Sequence, residues 1–130
     1  MSQSASQAAI FYRDVEASGT VWTIRDKNGY PAPKNREGIR SMPFWSSKSR
    51  IEKIIKNVPA YNGFEPTEIN LQEFSNWLKK LKKNKQLVGI NWSGSRAIGY
   101  DLNPDKLIRW IEDLKPPPKN WINILFKNKN

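Results

Sequence analysis

The chain has 130 residues, a length that suits one domain large enough to bury a hydrophobic core. It carries six Trp, five Phe and four Tyr, a formal net charge of +10, and neither cysteine nor histidine. These absences exclude disulfides, zinc-thiolate sites and Ser-His-Asp or Cys-His catalysis, and they leave carboxylate, lysine or tyrosine chemistry open. We therefore expect no metal and no cofactor.

Hydropathy argues against a membrane protein. No segment approaches the roughly 20 apolar residues that a membrane-spanning helix needs, and the first residues lack the basic and apolar sequence of a secretory signal. We expect a cytoplasmic protein that does not bind membranes.

The first quarter of the chain predicts a helix, a strand and a turn. Ala5 to Ala17 is loosely amphipathic, which favours a helix. Residues 21–25 are β-branched and aromatic and predict a strand, and residues 26–29 (Asp-Lys-Asn-Gly) are typical of a turn. Two prolines in residues 30–33 restrict that segment to an edge strand or an extended loop.

A second strand and helix follow a polar loop. Residues 40–45 predict a strand interrupted by Pro43. Ser46 or Ser47 can then cap a helix that runs to about Asn57, with isoleucines at helical spacing.

The third helix has the strongest signals. A short strand over residues 64–69 leads to Asn70, a good N-cap, and Glu73 three residues later completes a capping-box pattern. The apolar residues that follow at helical spacing are Leu71, Phe74, Trp77, Leu78 and Leu81.

The last part of the chain predicts a hairpin and a helix. Residues 87–92 form a nearly continuous apolar run, which is typical of a central strand. A turn at residues 93–95 returns the chain as a hairpin partner over residues 97–102. Asn103 and Pro104 then begin a helix, which Pro116 and the prolines after it prevent from continuing.

These elements predict an α+β fold: a single domain with a mixed or antiparallel sheet of about five strands and about four helices packed on it. The domain spans residues 1–115, and residues 116–130 form a proline-led tail. The apolar residues of this tail either dock on their own domain or offer a surface to a partner or a second copy, as in a homodimer.

A set of short segments occurs in a specific order. It comprises Val21-Trp22 with Asp26 and Gly29, Pro43-Phe44-Trp45-Ser46, Phe64-Glu65-Pro66, Ile69-Asn70-Leu71 with Glu73-Phe74 and Trp77-Leu78, and Leu87-Val88-Gly89-Ile90-Asn91-Trp92. The set resembles the bacterial family of unknown function DUF2750 over roughly residues 7–114. This resemblance implies a small, single-domain bacterial protein and supplies no function.

Two segments share the order tryptophan, small hydroxyl residues, arginine, and each begins with the tryptophan that ends a predicted strand. They supply the candidate ligand-binding residues Trp45, Ser46, Ser47, Arg50, Trp92, Ser93 and Arg96. Helix N-terminal N–H groups, hydroxyls and guanidinium groups bind anions, so the two segments would line one pocket if the strand ends are adjacent. The alternative is two core tryptophans, one beside a serine cap and one beside a hairpin turn.

Two acidic residues flank the third strand. Glu65 and Glu68 could act as catalytic carboxylates, but a structural ion pair with Arg50 or Arg96 is the simpler interpretation.

Three classes of function fit these features. A non-enzymatic module that binds a protein partner through an aromatic and basic face ranks first. A binder of nucleic acid or a phosphate ligand is the alternative, suggested by the positive charge and by the lysines between Lys79 and Lys85. An enzyme that uses carboxylates ranks third.

Overall fold

The computed structural model describes residues 3–94 and 97–114. The elements, in chain order, are α1 (Gln3–Ser18), β1 (Thr20–Arg25), β2 (Ser41–Phe44), α2 (Lys48–Asn57), a 3₁₀ turn (Pro59–Tyr61), β3 (Glu65–Asn70), α3 (Leu71–Lys83), β4 (Leu87–Ser93), β5 (Ile98–Leu102) and α4 (Pro104–Asp113). The predicted α+β fold with about five strands and four helices is confirmed. The tail over residues 116–130 lies outside the described residues.

The five strands form two small sheets. In the first, β1 pairs antiparallel with β3, from Thr20 opposite Asn70 to Arg25 opposite Glu65. In the second, the order is β2-β4-β5, with β2 parallel and β5 antiparallel to β4. The strand predicted to be central is therefore the middle strand of the larger sheet.

A pair of backbone hydrogen bonds joins the two sheets. The Trp22 amide donates to the Trp45 carbonyl at 2.8 Å, and the Trp45 amide donates back to the Trp22 carbonyl at 2.7 Å. Trp45 directly follows β2. The two hydrogen bonds therefore hold the residues after β2 between the two sheets.

Local sequence explains where the helices begin. Ser47 caps α2 by accepting from the Arg50 amide. Asn70 and Glu73 form the predicted capping box of α3. Asn103 caps α4, and Pro104 occupies its first turn, where a missing N–H costs nothing.

Two hydrophobic clusters fill the interior. The larger contains Phe11 of α1, Phe44 of β2 and Phe74 of α3, all with no exposed area. The smaller contains Trp45 and Trp92 together with Ile51 and Ile54 of α2. In the described part of the chain, no helix is long and apolar enough to cross a membrane.

Candidate functional site

The parallel pairing of β2 and β4 brings the two tryptophan-serine segments together. Parallel strands end at the same edge of a sheet, and Phe44 pairs with Ile90 in this register. One residue past β2, the Trp45 indole Nε1 donates to the Trp92 carbonyl oxygen at 2.8 Å. The two segments are therefore adjacent, as one pocket requires.

The tryptophans themselves belong to the core. Trp45 has no exposed area and Trp92 is 6% exposed. A ligand cannot stack on the buried Trp45 ring, whereas part of Trp92 lines the surface described below. The tryptophans thus fix the position of the site, and other side chains supply its chemistry.

A buried polar network lies beneath this edge of the sheet. Asn91 is fully buried; its Oδ1 accepts from the Ser46 amide at 2.9 Å, and its Nδ2 donates to the Ser46 hydroxyl at 3.0 Å. The Ser46 hydroxyl in turn donates to Asp14 Oδ2 at 2.9 Å. The Gln7 side-chain amide of α1 donates to the Ser93 hydroxyl. The network therefore locks α1 against the ends of β2 and β4.

The backbone at Asn91 is irregular. Its φ is 48°, in the left-handed region that non-glycine residues rarely adopt, and the pairing of β4 with β5 shifts register between Ile90 and Ser93. A bulge of this kind redirects side chains. Here it allows a polar side chain inside an apolar strand to reach Ser46.

An open groove of about 730 Å³ lies above the network. We call it the basic groove, because three cationic side chains line it, Arg13 from α1 and Arg50 and Lys53 from α2, against one carboxylate, Asp14. The other lining residues are Ile10, Ser47, Ser49, Ile54, Asn57, Trp92, Ser93 and Gly94.

The groove has an excess of positive charge. The Arg13 Nε lies 3.9 Å from Asp14 Oδ1, a long contact between two partly exposed groups. The ion pairs of the described residues include none to Arg50 or Lys53. The first turn of α2, where helix amides favour anions, contains no acidic residue. The groove is therefore suited to a negatively charged group.

The predicted site residues divide into three sets. Ser47, Arg50, Trp92 and Ser93 line the groove. Trp45 and Ser46 are buried beneath it. Arg96 lies outside the described residues.

The ion pair predicted between Glu65 or Glu68 and Arg50 is absent from the described residues. Strand register explains this absence, since Glu65 lies opposite Arg25 and Glu68 opposite Trp22. The alternative partner, Arg96, lies outside the described part of the chain.

Sequence reasoning missed Gln7, Asp14, Arg13 and Lys53. No feature of the neighbouring sequence distinguishes these four residues from other polar residues on helix surfaces. Asn91 did carry a signal, because an amide inside an apolar strand must find a hydrogen-bond partner when it is buried.

Neither a metal centre nor a pair of carboxylates is found in the groove. No group of three or more metal-ligating acidic side chains occurs among residues 3–94 and 97–114. Within the same residues, Asp14 is the only carboxylate that lines the groove.

Comparison with known families gives one result. A family model described as "Protein of unknown function (DUF2750)" matches residues 8–111, and the chain belongs to this family. No curated protein matches the chain. The family match includes both tryptophan-serine segments. It extends through all five strands and ends within α4.

Proposed function

We propose that this DUF2750 protein is a non-enzymatic binding module whose basic groove receives an acidic segment of a partner protein. The observation that supports this most directly is the composition of the groove: Arg13, Arg50 and Lys53 against the single carboxylate of Asp14. Because one carboxylate faces three cationic side chains, Asp14 neutralises the positive charge of the groove only in part.

The form of the groove favours a peptide over a compact ion. Its walls include the apolar side chains Ile10, Ile54 and Trp92 beside the cations. A chain segment that alternates acidic and apolar residues would satisfy both kinds of surface. Charge complementarity would set specificity and the rate of association, while the apolar contacts would slow dissociation.

The same composition argues against catalysis by carboxylates. General acid–base chemistry with two carboxyl groups needs both of them beside the reacting bond. Among the described lining residues, Asp14 has no second carboxylate near it in the groove, and its hydrogen bond with Ser46 ties it to the buried network.

A binding experiment with matched variants tests this proposal. The probe is a fluorescent peptide of alternating glutamate and leucine, and its affinity is measured by anisotropy at low salt. Arg50→Ala with Lys53→Ala removes two charges from the groove. Lys79→Ala with Lys80→Ala removes two charges from the exposed end of α3, so the net charge of the two variants is the same.

We expect the groove variant to bind at least about tenfold more weakly, since ~1.4 kcal/mol corresponds to tenfold and hydrogen bonds to charged groups contribute about 1.5–3 kcal/mol each. The α3 variant should differ from wild type by less than about twofold. Equal weakening in both variants would indicate general attraction to a positive protein and would refute a role for the groove. So would the absence of binding at low salt.

A nucleic-acid binder remains the second candidate, supported by a separate surface. Lys79, Lys80, Lys82, Lys83 and Lys85 are all exposed at the end of α3. Only Lys82 forms an ion pair there among the described residues, with Asp105 at 2.8 Å. Duplex DNA used as the probe in the same assay separates the candidates, because phosphate binding on α3 would be weakened by the Lys79 and Lys80 changes and would fall steeply with salt.

A further inference from the structure

The Trp92 side chain separates the basic groove from a second hollow. Its ring lies against β4 and β5, at Gly89 and Gly99, where glycine leaves room for it. A Cβ atom on Gly89 would stand 2.2 Å from the ring, and one on Gly99 would stand 2.9 Å from it. Trp92 lines both the basic groove and the second hollow.

On the second side, the Trp92 ring fixes the orientation of a carboxylate. The indole Nε1 donates to Asp101 Oδ1 at 3.0 Å, and the Ser41 hydroxyl donates to the same oxygen at 3.1 Å. No hydrogen bond to Asp101 Oδ2 is found from the described residues, and no ion pair to Asp101 occurs among them. The carboxylate is thus held in place by neutral donors, with one oxygen still able to accept.

The charge on Asp101 is incompletely compensated. Desolvation by the surrounding atoms raises the pKa of its carboxyl group, although the hydrogen bonds from Trp92 and Ser41 act in the opposite direction. A cation beside a carboxylate of this kind stabilises the ionised form.

Two basic side chains line the hollow around Asp101. It has a volume of about 480 Å³, and its lining includes Lys34 and Arg36 of the polar loop, together with the Tyr61 and Trp92 rings. Neither Lys34 nor Arg36 forms an ion pair with any described residue. We call this surface the Asp101 hollow; it combines one oriented carboxylate, two basic side chains and the aromatic residues Tyr61 and Trp92.

The geometry points to a binding site for a small zwitterion of the amino-acid class in the Asp101 hollow. The ligand's ammonium group donates to Asp101 Oδ2. Its carboxylate pairs with Arg36 or Lys34, where the guanidinium group offers bidentate hydrogen bonds. An apolar side chain of the ligand packs on Trp92 and Tyr61, a pattern common in small-molecule sites.

Three related compounds test the site. Phenylalanine carries both charged groups, phenethylamine lacks the carboxylate, and 3-phenylpropanoate lacks the ammonium group. Binding is followed by the indole N–H resonance of Trp92 in a proton–nitrogen correlation spectrum, because this N–H bonds to Asp101. We expect phenylalanine to bind at least about tenfold more tightly than either of the others, which corresponds to ~1.4 kcal/mol.

Two variants assign the charged contacts. Asp101→Asn keeps an acceptor for Trp92 and removes the charge, so phenylalanine and phenethylamine should bind about tenfold more weakly while 3-phenylpropanoate is unaffected. Arg36→Gln, a change on an exposed loop residue, should weaken phenylalanine and 3-phenylpropanoate and leave phenethylamine unchanged. Lys56→Gln, an exposed position on α2 outside the hollow, serves as the control.

Two results would overturn the inference. The first is the absence of a saturable change in the Trp92 resonance with phenylalanine. The second is equal affinity for the three compounds, which would mean that only the phenyl ring is bound. Since these measurements do not involve Arg50 or Lys53, either result would leave the proposal for the basic groove standing.

Discussion

The substitution Gly89→Ala tests whether the Trp92 ring lies against the backbone of β4. A Cβ atom at this position would stand 2.2 Å from Trp92 Cε2 and 2.4 Å from Cζ2 and Nε1, whereas ordinary contact begins near 3.4 Å. The ring must therefore retreat by about 1 Å, as packed atoms do when a methyl group is forced between them. Its hydrogen bond to Asp101, at 3.0 Å, cannot survive that movement unchanged.

Three contributions determine how much Gly89→Ala changes the free energy of unfolding. Overpacking costs about 1–3 kcal/mol. The weakened hydrogen bond to a charged acceptor costs about 1.5 kcal/mol, the lower end of its range, because Asp101 is exposed. Replacing glycine by alanine in a strand returns about 0.5–1 kcal/mol. We expect Gly89→Ala to lower the free energy of unfolding by about 1.5–4 kcal/mol.

Urea unfolding followed by far-ultraviolet circular dichroism measures this free energy, and an unchanged m-value would show that the unfolded state is the same. The control is the same glycine substitution in a Trp92→Val background, where no ring is present to displace. There the substitution should be neutral or slightly stabilising. A cost below about 0.5 kcal/mol in wild type, the usual range for surface changes, would refute the reasoning, and so would an equal cost in both backgrounds.

Three further predictions concern single side chains. Asn91→Ala should destabilise the fold by about 3 kcal/mol, because it leaves the Ser46 amide without its partner and keeps a Cβ at a φ of 48° without the polar side chain that makes asparagine tolerant of this region; Asn91→Gly should cost about 1 kcal/mol less in the same urea assay, and equal losses would contradict the account of strain. Asn70→Ala should cost about 1 kcal/mol of thermal stability through loss of the α3 cap, whereas Asn76→Ala on the same helix should change it little. Although Asp101 is an exposed residue, the atoms around its carboxyl group partly desolvate it and raise its pKa above the ordinary 3.8. The contribution of Asp101 to stability is therefore fully present below pH 3.8 and is lost as the pH rises through the folded-state pKa. The stability of wild type relative to Asp101→Asn should therefore fall from acid to neutral pH, and a constant or rising difference would contradict this sign.

Local signals predicted the elements well. The capping box of Asn70 and Glu73, the serine cap of α2 and the Asn103-Pro104 start of α4 all depend on residues within one turn of each other. The apolar run over residues 87–92 correctly indicated the middle strand of a sheet.

Pairing between distant segments was much less predictable. We expected one sheet of about five strands, but β1 pairs with β3 in a separate sheet, and the hydrogen bonds between the sheets include those that Trp22 exchanges with Trp45. Strand propensity identifies a strand but not its partner.

The site shows the same limit. The sequence indicated that Trp45 and Trp92 each end a predicted strand, and the parallel register of β2 and β4 then made them neighbours. The contacts that complete the site link Gln7 to Ser93 and Asp14 to Ser46. Local sequence patterns do not predict contacts between residues so far apart along the chain. These contacts arise only when α1 packs on the sheet edge.

The order of strand pairing also bears on how this chain folds. β1 pairs with β3 and β2 pairs with β4, so the two pairings overlap along the chain. A cut anywhere between Arg25 and Leu87 separates at least one strand from its partner. No single cut within this interval therefore leaves both sheets complete. The nonlocal pairings require long loops to close, which slows folding relative to a helical bundle of this size. We expect the molecule to unfold in one cooperative step.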